Sequence, residues 1–237
     1  MCIIYIGEEG TVFTLEAELI TLEALKNNED INTYIKAADE SLIALGYTEH
    51  SFAHVGKVAD TAGRILSLLG YSEGEVELAR IAGYLHDVGN LVNREEHSQS
   101  GAVMAFRILD RLGMPSSDIA RIVTAIGNHD EGTGVAVNPI AAALIIADKT
   151  DVRRTRVRNS DLSSFDIHDR VNYSVESSEL DIDTDAGIIR LALCIDTAIG
   201  SVMDYFEIFL SRMTMCRRAA EKLGLSFKLS INGQQLI

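Results

Sequence analysis

The chain has 237 residues, 47% of them hydrophobic and 24% charged, the composition of a globular protein able to bury a substantial core. Its formal charge of −14 repels polyphosphate backbones and argues against bulk nucleic acid as a partner. A small anion stays admissible where metals and a few arginines invert the local field. No apolar run approaches the roughly 20 residues of a membrane span, the first residues lack the basic opening of a signal peptide, and Cys2, Cys194 and Cys216 form no CxxC pattern. A cytoplasmic protein with reduced thiols and no membrane partner is expected.

Residues 1–14 make a first segment of unclear structure: Cys2-Ile3-Ile4-Tyr5-Ile6 has strand character, with no sign of what it pairs with. From about Leu15 the pattern is helical. Residues 30–45 carry Ile31, Tyr34, Ile35, Ala38, Leu42 and Leu45 spaced by three and four, and close on Gly46. Residues 51–69 place His54, Val58, Ala62, Ile65 and Leu69 on one stripe. Ser72 and Glu75 form a capping box that starts a helix running to His86-Asp87. His97 opens another helix, stopped by Gly113 and Pro115, and a further one runs from Ser117-Asp118 to Asn128-His129. Pro139 starts a long helix that is expected to pass through Asp148 and continue into the arginines at 153–158.

After about residue 160 the period changes. Val171, Tyr173 and Val175 alternate, as do Leu180 and Ile182, and 187–193 has the same two-residue rhythm. An amphipathic helix over 197–223 and a final strand over 227–231 follow. The expected architecture is mainly α: a helical bundle over 15–160 with a small C-terminal α+β appendage over 161–237. The appendage, a thin sheet with exposed edges and one half-apolar helix, either covers the bundle or pairs with a second copy, so a homodimer is an expected partner state.

The chemistry-bearing residues are His54, the pair His86-Asp87, His129 and Asp148, each in or at the end of a predicted helix. Asp follows His three times in this chain, so the dipeptide alone carries little. Context carries more, because Asp148 interrupts the apolar run 141–147, where a carboxylate needs a cation or strong donors. Imidazoles and carboxylates gathered from successive helices suit a first-row divalent metal. The order His, His-Asp, His, Asp, together with Glu49–Ala59, Leu85-His86-Asp87-Val88-Gly89 and Ala147-Asp148-Lys149-Thr150-Asp151, resembles the HD superfamily of metal-dependent phosphohydrolases over about residues 45–158.

The resemblance implies an HD-domain helical bundle in which His54, His86, Asp87 and Asp148 hold a first metal. His97 and His129 stand where the dinuclear branches of that family bind a second metal, with Asp87 bridging. Divalent ions, two in number and drawn from Mn, Fe, Ni, Co or Mg, are then the expected cofactors, and a metal hydroxide oriented by Asp87 the expected nucleophile. His50, four residues before His54, is expected to support the site without binding metal, and His168-Asp169 is expected to take no part.

On a continued helix Arg156 falls near the Asp148 face, so Lys149 and Arg156 are the expected catalytic cations, with Arg153, Arg154 and Arg158 solvated. The chain departs from the cyclic-dinucleotide branch of the superfamily. Asn90 stands where that branch has lysine, and 129–139 lacks its Gly-Tyr-Pro element. Glu131 in this glycine-rich loop is a candidate base behind the ligands. The expected function is hydrolysis of a small phosphoester, a nucleotide in the leading reading. The alternative is a regulatory module that binds metal and nucleotide without efficient turnover, an idea motivated by an appendage that carries no ligand.

Overall fold

The computed structural model describes residues 2–6, 12–16, 20–159, 161 and 164–237. Strand β1 (Cys2–Ile6) pairs antiparallel with β2 (Val12–Glu16). The partner missing from the sequence reading is therefore the next β-branched and aromatic segment, and the helical pattern begins at Leu22, not at Leu15. There the Thr21 hydroxyl accepts from Ala24 N and caps α1 (Leu22–Lys26).

The bundle consists of α2 (Glu29–Ala44), α3 (Phe52–Leu68), α4 (Glu73–Leu85), α5 (His97–Arg111), α6 (Ser116–Gly127) and α7 (Pro139–Lys149). Four of these six starts have a side-chain cap. Asn28, Ser51, Ser72 and Asn138 cap α2, α3, α4 and α7 with their side chains, and Ser72 closes the predicted box with Glu75. Helix α7 is apolar all round, and Ile140 to Ala147 are all buried, so it occupies the centre. Helices α3, α4 and α6 and the late helix α9 (Val202–Lys222) surround it.

Helices α3 and α4 cross closely because Gly83 faces the backbone of Ala59. A Cβ at Gly83 would lie 2.7 Å from Ala59 Cα. Gly83→Ala is expected to push these helices apart and to cost about 1–3 kcal/mol. It should also lower metal content, because the two helices deliver His54 and His86. Denaturant melts and metal analysis on the variant check this, and an unchanged midpoint with full metal would count against it.

Three expectations about the later chain change. Helix α7 stops at Lys149, with Thr150 Oγ1 donating to Ile146 O at 2.7 Å. The backbone then runs extended into a short 3₁₀ turn, Arg154–Arg156, so the helical-wheel placement of Arg156 does not apply. The alternation at 171–175 belongs to helix α8 (Ile167–Ser174), capped by Asp166, and strand β3 (Val175–Asp183) begins only afterwards. Helix α9 (Val202–Lys222) starts later than expected, at a capping box formed by Ser201 and Asp204.

Strand β4 (Ile188–Ile195), β5 (Ser226–Ile231) and β6 (Gln234–Gln235) complete a sheet in the order β3-β4-β5-β6. The pair β4/β5 is parallel and joined through α9; its neighbours are antiparallel. Ile189, Leu191 and Leu193 alternate inward with Phe227, Leu229 and Ile231 and merge with the helical core. Helix α9 lies between sheet and bundle, packed on α7 and β5. The C-terminal unit thus covers the core. No helix among the described residues is long and apolar enough to cross a membrane.

Candidate metal centre

The six predicted ligands converge. His54 comes from the first turns of α3, His86 and Asp87 from the end of α4, and His97 from the first position of α5. His129 follows α6, and Asp148 sits in the last turn of α7. The left-handed Glu96 (φ 57°) turns the chain so that His97 enters its helix pointing inward.

All four imidazoles use the same device. The Nδ1 of His86, His97 and His129 binds the carbonyl three residues earlier, Gly83 O at 2.8 Å, Arg94 O at 3.1 Å and Ile126 O at 2.6 Å. That of His54 binds Asp151 Oδ2 at 2.8 Å, across 97 positions of sequence. With Nδ1 carrying the donated hydrogen, each Nε2 is a bare lone pair, and these nitrogens face one another and two carboxylates.

His54 Nε2 lies 3.4 Å from Asp148 Oδ1 and 3.5 Å from Asp87 Oδ2, and His86 Nε2 lies 3.2 Å from Asp87 Oδ2. On the other side His97 Nε2 lies 3.3 Å from His129 Nε2 and 3.8 Å from Asp87 Oδ1. Such spacings, too long or too badly aligned to satisfy the atoms, fit donors about 2.0–2.2 Å from a shared cation. His54 Nε2, His86 Nε2 and Asp87 Oδ2 are buried with no hydrogen-bond partner. Orphaned polar atoms of this kind are costly without an ion to fill them. Two metal-capable groups that share His86 result, His54/His86/Asp148 and His86/Asp87/His129, and Asp87 turns Oδ2 toward His54 and His86 and Oδ1 toward His97.

The electrostatics follow from burial and mutual charge. Burial alone raises a carboxyl pKa, yet neighbouring cations override it: His86 holds Asp87 well below the usual range, and Lys149 does so for Asp148. Burial opposes a charged His86, but Asp87 and Asp148 push it up to about 10. Burial, reinforced by His86 and Lys149, pushes His129 down to about 3. Burial likewise lowers His97, so His97 and His129 are held neutral, while His86 carries a proton against Asp87 and Asp148 that a bound cation would displace.

Several supporting residues were not recognised in the sequence. Asp151, which orients His54, is buried and is itself held by Lys57 Nζ at 2.9 Å and Arg153 Nε at 2.8 Å. Its position three residues after Asp148 was visible, but its partner was not. Asn90 donates to Asp87 Oδ1 at 3.0 Å and accepts from Arg94 Nη1 at 3.3 Å. The residue that marked a departure from relatives therefore fixes the Asp87 carboxylate.

A cleft of about 370 Å³ opens over the ligands. Lys149 lines it, with Nζ 2.7 Å from Asp148 Oδ2. Arg156 lines it too, buried, with Nε donating to Glu49 O at 2.9 Å and Nη1 to Asp151 O at 3.0 Å. His50 precedes helix α3 and does not share it; its ring stacks edge-on against His54 at 5.5 Å and walls the cleft. His168 and Asp169, set aside in the sequence, also line the cleft, because α8 brings them back over the site. Glu131 is no free base, since it lies 2.6 Å from Arg212 Nε and accepts from Ser211 Oγ at 3.1 Å.

Comparison with known proteins adds three findings. A family model described as the HD domain matches residues 51–171, just over half of the chain, and so extends past the 45–158 span of the resemblance. An uncharacterized protein of Methanocaldococcus jannaschii is 26% identical over 182 residues, which are 67% of this chain and 70% of that protein. Ribonuclease Y of Aliarcobacter butzleri is 30% identical over 122 residues, 50% of this chain and 21% of the ribonuclease.

Proposed function

The chain belongs to the HD-domain family, and from that membership we propose a metal-dependent phosphohydrolase that holds two divalent cations and hydrolyses a small phosphoester, a nucleotide being the leading candidate. The carrying observation is the set of buried, unpartnered atoms, His54 Nε2, His86 Nε2 and Asp87 Oδ2, aimed at one point. His54, His86 and Asp148 would hold the first ion and His97 and His129 the second, with Asp87 shared. Four imidazoles with two carboxylates suit Mn, Fe, Co or Ni better than Mg. When bound, the ions supply Lewis acidity toward a phosphoryl oxygen and a nucleophile from water at neutral pH.

The protein's own groups do the rest. Asn90 fixes the orientation of Asp87. Lys149, pinned against Asp148, places an ammonium where charge builds on the phosphoryl oxygens. Arg156 spends two of its nitrogens on backbone carbonyls, which joins the approach to α3 to the turn after α7 and leaves Nη2 for the cleft. Its loss is expected to lower stability as well as substrate affinity.

The small cleft and the charge of −14 favour a short, dense anion over a polymer. One relative is a ribonuclease by name, so RNA is a direct counter-test. Metal analysis of purified protein, followed by a panel of mononucleotides, generic monoesters and diesters, and an RNA strand with added Mn²⁺, decides the matter. Turnover of small esters with little RNA cleavage is expected. Full metal with no turnover on any ester would favour a sensor, and RNA cleavage at matching efficiency would overturn the substrate class.

A further inference from the structure

Two side chains of the cleft wall, Phe209 and Arg212, come from α9 and lie outside the family match at 51–171. Arg212 is anchored at one end only. Its Nε forms an ion pair with Glu131 Oε1 at 2.6 Å without the alignment of a hydrogen bond. Its guanidinium carbon lies 4.6 Å from the centre of the Phe209 ring, a cation–π placement that fixes the plane of the fork. The two terminal amino groups, with four N–H donors between them, make no hydrogen bond to the protein among the described residues.

A second arginine with an unfilled Nη2, Arg156, borders the same cleft. Burial holds its pKa below the usual value and the like charge of Arg212 adds to that, while Asp151 and Asp148 oppose it. Two guanidinium groups that line one cleft, each with idle donors, form an arrangement that an anion relieves. Lys149 already accompanies Asp148 at the ligands, so the arginine pair is surplus to a single phosphoryl group.

We propose that Arg212 contacts a second anionic group of the substrate, phosphate or carboxylate, distinct from the phosphoryl group at the metal centre. Helix α9 thereby selects substrates with at least two anionic groups. The inference rests on the phosphohydrolase reading and adds to it the class of substrate and the role of the C-terminal unit.

Calorimetric titration of the Mn²⁺-loaded protein with orthophosphate, methylenediphosphonate and phosphonoacetate tests it, with metal content and melting temperature measured for every variant. Arg212→Gln should weaken methylenediphosphonate by about tenfold and orthophosphate by less than about twofold, the scale of one charge-assisted contact. Arg212→Lys should restore part of the loss. Weakening of phosphonoacetate as well would show that a carboxylate suffices; its absence would restrict the site to a second phosphate.

Glu131→Gln separates this role from a merely structural ion pair. Loss of a structural pair weakens binding from either side, whereas freeing a substrate-binding arginine leaves the diphosphonate affinity equal or stronger. Equal weakening of both anions by Arg212→Gln, or no weakening of either, would overturn the proposal. Wild-type protein that binds metal but no orthophosphate would instead sink the phosphohydrolase reading beneath it.

Discussion

Asp87→Ala is expected to yield a folded protein that holds no metal at stoichiometric loading and keeps only about a thousandth of wild-type turnover. Asp87 is the one residue whose two oxygens face both ligand groups, Oδ2 toward His54 and His86 and Oδ1 toward His97. Its removal takes a charge from each group at once. If the ions supply about 4 kcal/mol of transition-state stabilisation, turnover falls roughly a thousandfold. The fold survives because α3, α4 and α7 are joined by apolar faces and by the Gly83 crossing, none of which uses the carboxylate. Circular dichroism, metal analysis and turnover on the best ester of the panel check this together. Wild-type metal content with wild-type turnover would remove Asp87 from the site.

His97→Ala and His129→Ala are expected to lower bound metal from two equivalents toward one and to remove most of the activity. These two rings face each other at 3.3 Å between Nε2 atoms, and neither belongs to the His54/His86/Asp148 group. His54→Ala, by contrast, should disturb the first ion, and it also strips Asp151 of the ring it orients. Each variant is expected to keep its helices, because the bundle is held by apolar faces to which the imidazoles do not belong. A wild-type protein that saturates at one equivalent, unaffected by His97→Ala or His129→Ala, would rule out a dinuclear centre.

Most helix starts were legible because capping is local. Ser72 with Glu75 and the proline opening α7 are encoded within four residues, and the apolar stripe of α3 repeats within two turns. The end of α7 was not legible. Thr150 and Asp151 are compatible with a continuing helix, and the chain breaks there because Asp151 finds His54, Lys57 and Arg153 in space. The segment at 171–175 misled for a related reason: three alternating positions fit a strand, but Asp166 caps a helix whose buried residues are Val171, Asn172 and Ser174. Helix α9 was expected to begin at Thr197, and its true start depends on the Ser201–Asp204 box.

By itself the sequence determined which residue types are present for metal chemistry and on which elements they ride, because periodicity and end signals act over a few residues. It also determined the helical core with its α+β extension, and a charge that makes any anion-binding cleft a local exception. Only the tertiary structure decided how those residues face one another. The bare Nε2 of each histidine depends on an acceptor for Nδ1, which for His54 lies 97 residues away. The return of His168 and Asp169 to the cleft depends on where α8 docks, and the arrival of Arg212 depends on α9 lying against α7. These are long-range contacts, set by how apolar faces pack, and spacing along a chain carries no record of which distant surface a side chain will meet.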